Sequence, residues 1–166
     1  QSHSWFGSSV SLEGKWLAVG QRKGDSSAQN NKAGNVYLFS YSDTSFSGGQ
    51  LRALIGAGRT TTSTDGPYDV DRADLHFSLE PGVDEDFFGT SVSVFKGRLA
   101  VGAKGAGGYN NVSTKSGEVH LFNLVDSGGT VTDNPDSFAG VIYQATIGHD
   151  FPSTGTKNID LGDQGG

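Results

Sequence analysis

Apolar residues fall along the chain in short runs of two kinds. Phe6 to Leu12 alternates, so Phe6, Ser8, Val10 and Leu12 share one face and small residues the other, the pattern of a half-buried strand. Trp16 to Val19 and Val36 to Phe39 are apolar at every position, as central strands covered on both faces are. Leu51 to Ile55 alternates more loosely and reads as an edge strand. Turn signals separate these runs: Glu13-Gly14-Lys15, the glycine-bounded stretch from Gly24 to Gly34, and Ser47-Gly48-Gly49. No segment carries a helical period. The pattern predicts an all-β unit of four antiparallel strands in about 80 residues, the size of a propeller blade.

The same pattern then recurs. Trp5-Phe6-Gly7-Ser8-Ser9-Val10-Ser11 is matched by Phe87-Phe88-Gly89-Thr90-Ser91-Val92-Ser93, and Leu17-Ala18-Val19-Gly20 by Leu99-Ala100-Val101-Gly102, both 82 residues on. Gly34-Asn35-Val36-Tyr37-Leu38-Phe39 returns as Gly117-Glu118-Val119-His120-Leu121-Phe122 at an offset of 83. Ala53-Leu54-Ile55-Gly56 returns as Ala145-Thr146-Ile147-Gly148 at 92, which places an insertion around Asp126 to Asp136 of the second copy. Four blocks in one order define two tandem units, residues 1–83 and 84–166. Val10, Leu17, Val19, Val36 and Leu38 are expected to be buried, with Val92, Leu99, Val101, Val119 and Leu121 as their equivalents. Phe6-Gly7 and Phe88-Gly89 are expected to pack between neighbouring sheets, because a glycine beside the ring admits close backbone approach.

Composition narrows the function classes. The 166 residues include 26 glycines, 34% apolar residues and no cysteine, so disulfides and thiolate metal sites are excluded. A net charge of -6 without any basic run argues against a nucleic-acid or anionic-membrane surface. The absence of methionine fits a processed secreted chain or a piece of a longer one.

Phe-Gly at the head of each unit, the following valine-containing strand, Leu-Ala-Val-Gly and Gly-x-Val-x-Leu-Phe resemble the FG-GAP repeat. That resemblance implies β-propeller blades of the kind found in integrin α-chain heads and in tandem arrays of bacterial surface proteins. It covers both units. Two departures stand out. Gly20-Gln21-Arg22 and Gly102-Ala103-Lys104 lack the proline of the family's Gly-Ala-Pro element. The Asp-rich calcium loop between the first two strands is replaced by Glu13-Gly14-Lys15 and Phe95-Lys96-Gly97-Arg98, too few oxygens for the six to eight ligands of calcium.

The remaining chemistry is sparse. His3, His76, His120 and His149 have no metal-ligand spacing, and His120 falls in a strand where the first unit has Tyr37. No serine lies in a nucleophile elbow, and no glycine cluster precedes a helix as a phosphate cradle requires. Asp69, Asp71 and Asp74 allow either a loop calcium site or a solvated acidic linker, of which the linker is favoured; Asp84, Glu85 and Asp86 form a second acidic stretch. No cofactor is expected, calcium being the one considered. Asn111-Val112-Ser113 is a glycosylation sequon, and Tyr68, Tyr109 and Phe151 are loop aromatics able to stack on sugars or to cover a junction between units. The expected function is non-catalytic: a structural or adhesive repeat of an extracellular or cell-surface protein, fibre or sheath. Its expected partners are copies of itself or adjacent repeats, with host or matrix glycans or proteins as further candidates. The alternative is a carbohydrate-binding propeller. Reading Gly166 on to Gln1 reproduces the internal junction between the units, which predicts head-to-tail association.

Overall fold

The computed structural model describes residues 5–23, 33–56, 68–71, 86–108, 116–149 and 158–161. The alternating and all-apolar runs become two sheets of five strands each. The first contains β1 (Phe6–Glu13), β2 (Trp16–Gln21), β3 (Asn35–Ser40), β4 (Gln50–Gly56) and β5 (Tyr68–Asp71), in that spatial order. The second contains β6 (Phe88–Phe95), β7 (Arg98–Ala103), β8 (Glu118–Asp126), β9 (Phe138–Gly148) and β10 (Ile159–Asp160), again in chain order across the sheet. A short 3-10 turn at Pro135–Ser137 precedes β9.

The repeat holds down to register. β1 pairs with β2 through Phe6–Gln21 and Ser9–Gly20 with a bulge between, and β6 pairs with β7 through Phe88–Ala103 and Ser91–Gly102 with the same bulge. A second bulge falls at Leu38/Phe39 and at Leu121/Phe122. A bulge bends its strand and raises local twist, so two at matching positions give the sheets matching curvature. Both β1–β2 and β6–β7 are joined by two-residue turns, Gly14-Lys15 and Lys96-Gly97.

The four-stranded antiparallel expectation needs correcting. Each sheet has a fifth strand, and it is parallel: β5 lies beside β4 through Ile55–Val70, and β10 beside β9 through Ile147–Ile159. β4 is therefore internal, and the edge is the short acidic Tyr68–Asp71. Short, charged edges are how sheets resist unwanted pairing.

One hydrophobic core lies between the sheets. Trp16, Ala18, Val36, Leu38, Ala53 and Ile55 of the first meet Phe88, Val94, Leu99, Val101, Phe122 and Leu124 of the second. Because side chains alternate along a strand, each sheet gives one face to this core and turns the other outward. The faces given are opposite ones. The second sheet buries Leu99, Val101, His120 and Phe122, whose counterparts Leu17, Val19, Tyr37 and Phe39 lie on the outer face of the first. This corrects the burial expected for two positions. Val10 is 60% exposed and Val119 is 39% exposed, since each sits on a face that no second sheet covers. Leu17, Val92 and Leu121 are half-buried, while Val19, Val36, Leu38, Leu99 and Val101 are buried as expected.

Candidate functional site

The junction is organised around the segment that opens the second unit. Phe87 holds φ 54°, a left-handed value rare for a bulky residue, and Gly89 holds φ 83°. This kink sends Phe88 into the core, where its ring is fully buried and meets His120 edge-on at 5.4 Å. The backbone of Phe88 runs against Gly34: the Phe88 N–H donates to the Ala33 carbonyl at 2.8 Å, and Gly34 and Phe88 form a parallel bridge. Gly34 has φ 94°, and a Cβ there would stand 2.0 Å from the Phe88 carbonyl oxygen; one on Gly20 would stand 2.0 Å from that of Gly89. Only glycine fits at either place. Ser9 Oγ donates to the Gly89 carbonyl at 2.8 Å, and the Val94 N–H donates to Ser11 Oγ at 3.0 Å.

The insertion of the second unit closes the same junction from the far end. Asp126 Oδ1 accepts from the Gly128 and Thr130 N–H groups at 2.9 Å and turns the chain back. The Trp16 indole N–H then donates to the Asp133 carbonyl at 2.8 Å, and the Arg52 guanidinium donates to the carbonyls of Pro135 and Phe138 at 3.2 and 3.3 Å. The sequence marks this insertion but carries no sign that it clasps the first sheet.

Both halves of the junction are present a second time, on the outward faces. Trp5-Phe6-Gly7 repeats the kink, with φ 56° at Trp5 and 83° at Gly7. The Ser8 N–H donates to the Trp5 carbonyl at 3.1 Å, as Thr90 does to Phe87 at 3.0 Å. The Phe6 ring meets Tyr37 edge-on at 5.1 Å, matching Phe88 on His120, but Phe6 is 54% exposed. On the second sheet, Gly102 and Gly117 stand where Gly20 and Gly34 stand on the first. Beside them opens a cavity of about 340 Å³ lined by Gly102, Lys104, Ser116, Gly117, Val119 and Ile147 among others. A Cβ on Gly117 would find nothing nearer than 3.8 Å among the described residues.

His120 belongs to a buried polar group that sequence reasoning missed. Its Nδ1 lies 3.0 Å from Thr146 Oγ1 and its Nε2 lies 3.2 Å from a Glu118 carboxylate oxygen. Asn158 Oδ1 accepts from the Thr146 N–H at 2.8 Å and from the Tyr143 hydroxyl at 3.0 Å, tying the start of β10 to β9. Hydroxyl, imidazole and carboxylate in line is the geometry of an acyl-transfer relay, but a nucleophile must reach its substrate. Thr146 and His120 are fully buried, and Phe88 covers the ring. The arrangement gathers polar groups inside the core, with the hydrogen bond at Nδ1 and the Glu118 carboxylate facing Nε2. The substitution of Tyr37 by His120 was the available signal, and only the covering sheet reveals its burial.

The other sequence-selected positions are dispersed. Asp69 and Asp71 lie on strand β5 rather than in a loop. Asp74, Asp84, Glu85, Asn111, His3, His76, Tyr109 and Phe151 lie outside the described residues. Asp86 is buried, and its carbonyl accepts from the Gly105 N–H at 3.0 Å. Among the described residues there is no group of three or more His, Cys, Asp or Glu able to hold a metal ion, and no helix long and apolar enough to cross a membrane.

Two sheets alike in order, register and bulges, the second seated on the first through a Phe-Gly kink, define a tandem all-β repeat protein. The chain carries FG-GAP-type repeats: the FG-GAP repeat family model matches residues 1–39 and 80–122, which hold β1, β2 and nearly all of β3, and β6, β7 and the first half of β8. Such repeats are generally non-catalytic and typical of extracellular or surface proteins. No curated protein matches the chain.

Proposed function

We propose that the chain is a non-catalytic structural or adhesive repeat of an extracellular surface protein, fibre or sheath. In this reading its units, residues 1–83 and 84–166, are propeller-type blades that assemble through blade-to-blade contacts. The partners are copies of the chain or adjacent repeats. One observation carries the reading: the residue positions left exposed on the outward faces are the same positions that are buried or half-buried where the two sheets meet. Val10 and Phe6 match Val92 and Phe88, and Val119 matches Val36. Apolar faces of this kind mark association surfaces in soluble proteins.

The carbohydrate-binding alternative would use the cavity beside Gly117. Among the described residues none that lines it is aromatic, and their exposed surface is predominantly apolar, which suits a hydrocarbon ring better than a sugar. Electron micrographs of the protein at micromolar concentration should show rings or filaments of many copies. Images without multi-copy particles, together with saturable, sugar-specific binding on a glycan array, would replace this reading with the lectin one.

A further inference from the structure

We infer that the cavity beside Gly117 is a socket for Trp5-Phe6-Gly7 of a second copy of this chain, docked head to tail. The inference rests on the assembly reading above and adds its occupant, register and polarity.

The occupant is identified by precedent within the molecule. Phe87-Phe88-Gly89 fills the socket made by Gly20 and Gly34, and the Gly102–Gly117 socket has the same strands, pairing and bulge. Trp5-Phe6-Gly7 has the same sequence type as the occupant and the same left-handed pair of φ values. It holds this shape with its ring half-exposed, so the kink is set before any partner arrives. Preorganisation of this sort lowers the ordering cost of binding.

Transferring the internal contacts by their offsets gives the junction in detail. The Phe6 N–H would donate to the Ser116 carbonyl, as Phe88 does to Ala33. Ser91 Oγ would donate to the Gly7 carbonyl, as Ser9 does to Gly89, and the Leu12 N–H would donate to Ser93 Oγ, as Val94 does to Ser11. Val119 and Leu121 would cover Tyr37 and Phe39. Arg22 lies 5.9 Å from the Phe87 ring centre, and Lys104 would approach Trp5 in the same way.

The match is incomplete at one end, and this sets the strength. Arg98 replaces Trp16 on the socket side, and the first unit has no insertion to act as a clasp. Contact between copies is therefore weaker than contact within the chain, and association depends on concentration.

Two variants with opposite lesions test the polarity. Phe6→Ala removes the plug and keeps the socket; Val119→Asp charges the socket and keeps the plug. Each alone should lose self-association by about thirtyfold, the scale for a buried anchor at an interface. An equimolar mixture should recover it and stop at pairs, giving twice the 17.3 kDa mass of the chain by light scattering. A mixture of folded variants that stays at one-chain mass overturns the inference. Association that survives both substitutions leaves assembly standing and removes this docking, whereas a wild-type chain that never associates removes assembly itself. Should a variant fail to fold, single cysteines decide, because the native chain has none. Under oxidation, Ser93→Cys mixed with Leu12→Cys should cross-link between chains, with Ser11→Cys/Val94→Cys as the internal standard. Cross-linking of either single variant with itself, and none in the mixture, would contradict the head-to-tail arrangement.

Discussion

Gly34 and Gly117 occupy one position in two copies of a sheet, with φ of 94° and 79°, yet their surroundings differ completely. Phe88 lies against the first, with its carbonyl oxygen 2.0 Å from where a Cβ would be; nothing described lies within 3.8 Å of the second. The plugs differ in the complementary way, Phe88 being fully buried and Phe6 being 54% exposed. Local backbone shape is thus written into each unit, whereas burial is conferred by whichever sheet comes next. The φ of 79° favours glycine at Gly117 by itself, and the open space beside it corresponds to the place where Phe88 lies against Gly34.

The largest test of this contrast removes the two rings. Phe88→Ala should cost about 3–5 kcal/mol of folding stability, the range for a fully buried phenylalanine. Phe6→Ala should cost the isolated chain far less, because half of its surface is already in water. Urea denaturation of dilute protein measures both, and equal losses would break the comparison. The next test adds a single methyl. Gly34→Ala and Gly117→Ala carry the same positive-φ strain, but only the first also collides with Phe88. Their difference should be about 1–3 kcal/mol, the cost of overpacking, and a vanishing difference would mean that Phe88 does not dock against Gly34.

The smallest effect belongs to the loops between the third and fourth strands, which differ between the units. In the second, this connection reaches the first sheet through Asp133 and Pro135. In the first, it folds on itself around Asp43, whose carboxylate accepts from the Ser47 and Ser45 N–H groups at 3.1 and 2.8 Å. These bonds, led by the one from Ser47, hold the Asp43 carboxyl below the usual carboxylate range. Their contribution is complete above the ordinary carboxylate value and fades as pH falls through the lowered one. Amide resonances of Ser45 and Ser47 should titrate together at that lower pH while those of the sheets stay fixed. Titration at the ordinary value would show that the loop bonds do not persist in solution.

Much of this was legible from the chain. The all-apolar runs Trp16 to Val19 and Val36 to Phe39 marked central strands, and four ordered blocks marked the repeat, because periodicity and turn residues are local properties. The fifth strands were not legible. Tyr68-Asp69-Val70-Asp71 reads as an acidic linker, and its parallel pairing with β4 is a long-range choice with no local signal. Alternation also placed Val10 and Val119 on apolar faces correctly but could not say whether those faces were covered. His120 shows the reverse: a polar residue in a strand reads as outward until a second sheet closes over it.

The claim that the outward faces are complementary is tested most directly by the molar mass of the unmodified chain in solution. As concentration rises through the micromolar range, light scattering should report a mass climbing above 17.3 kDa towards a multi-copy particle. A well-folded chain that stays at 17.3 kDa throughout would contradict the account.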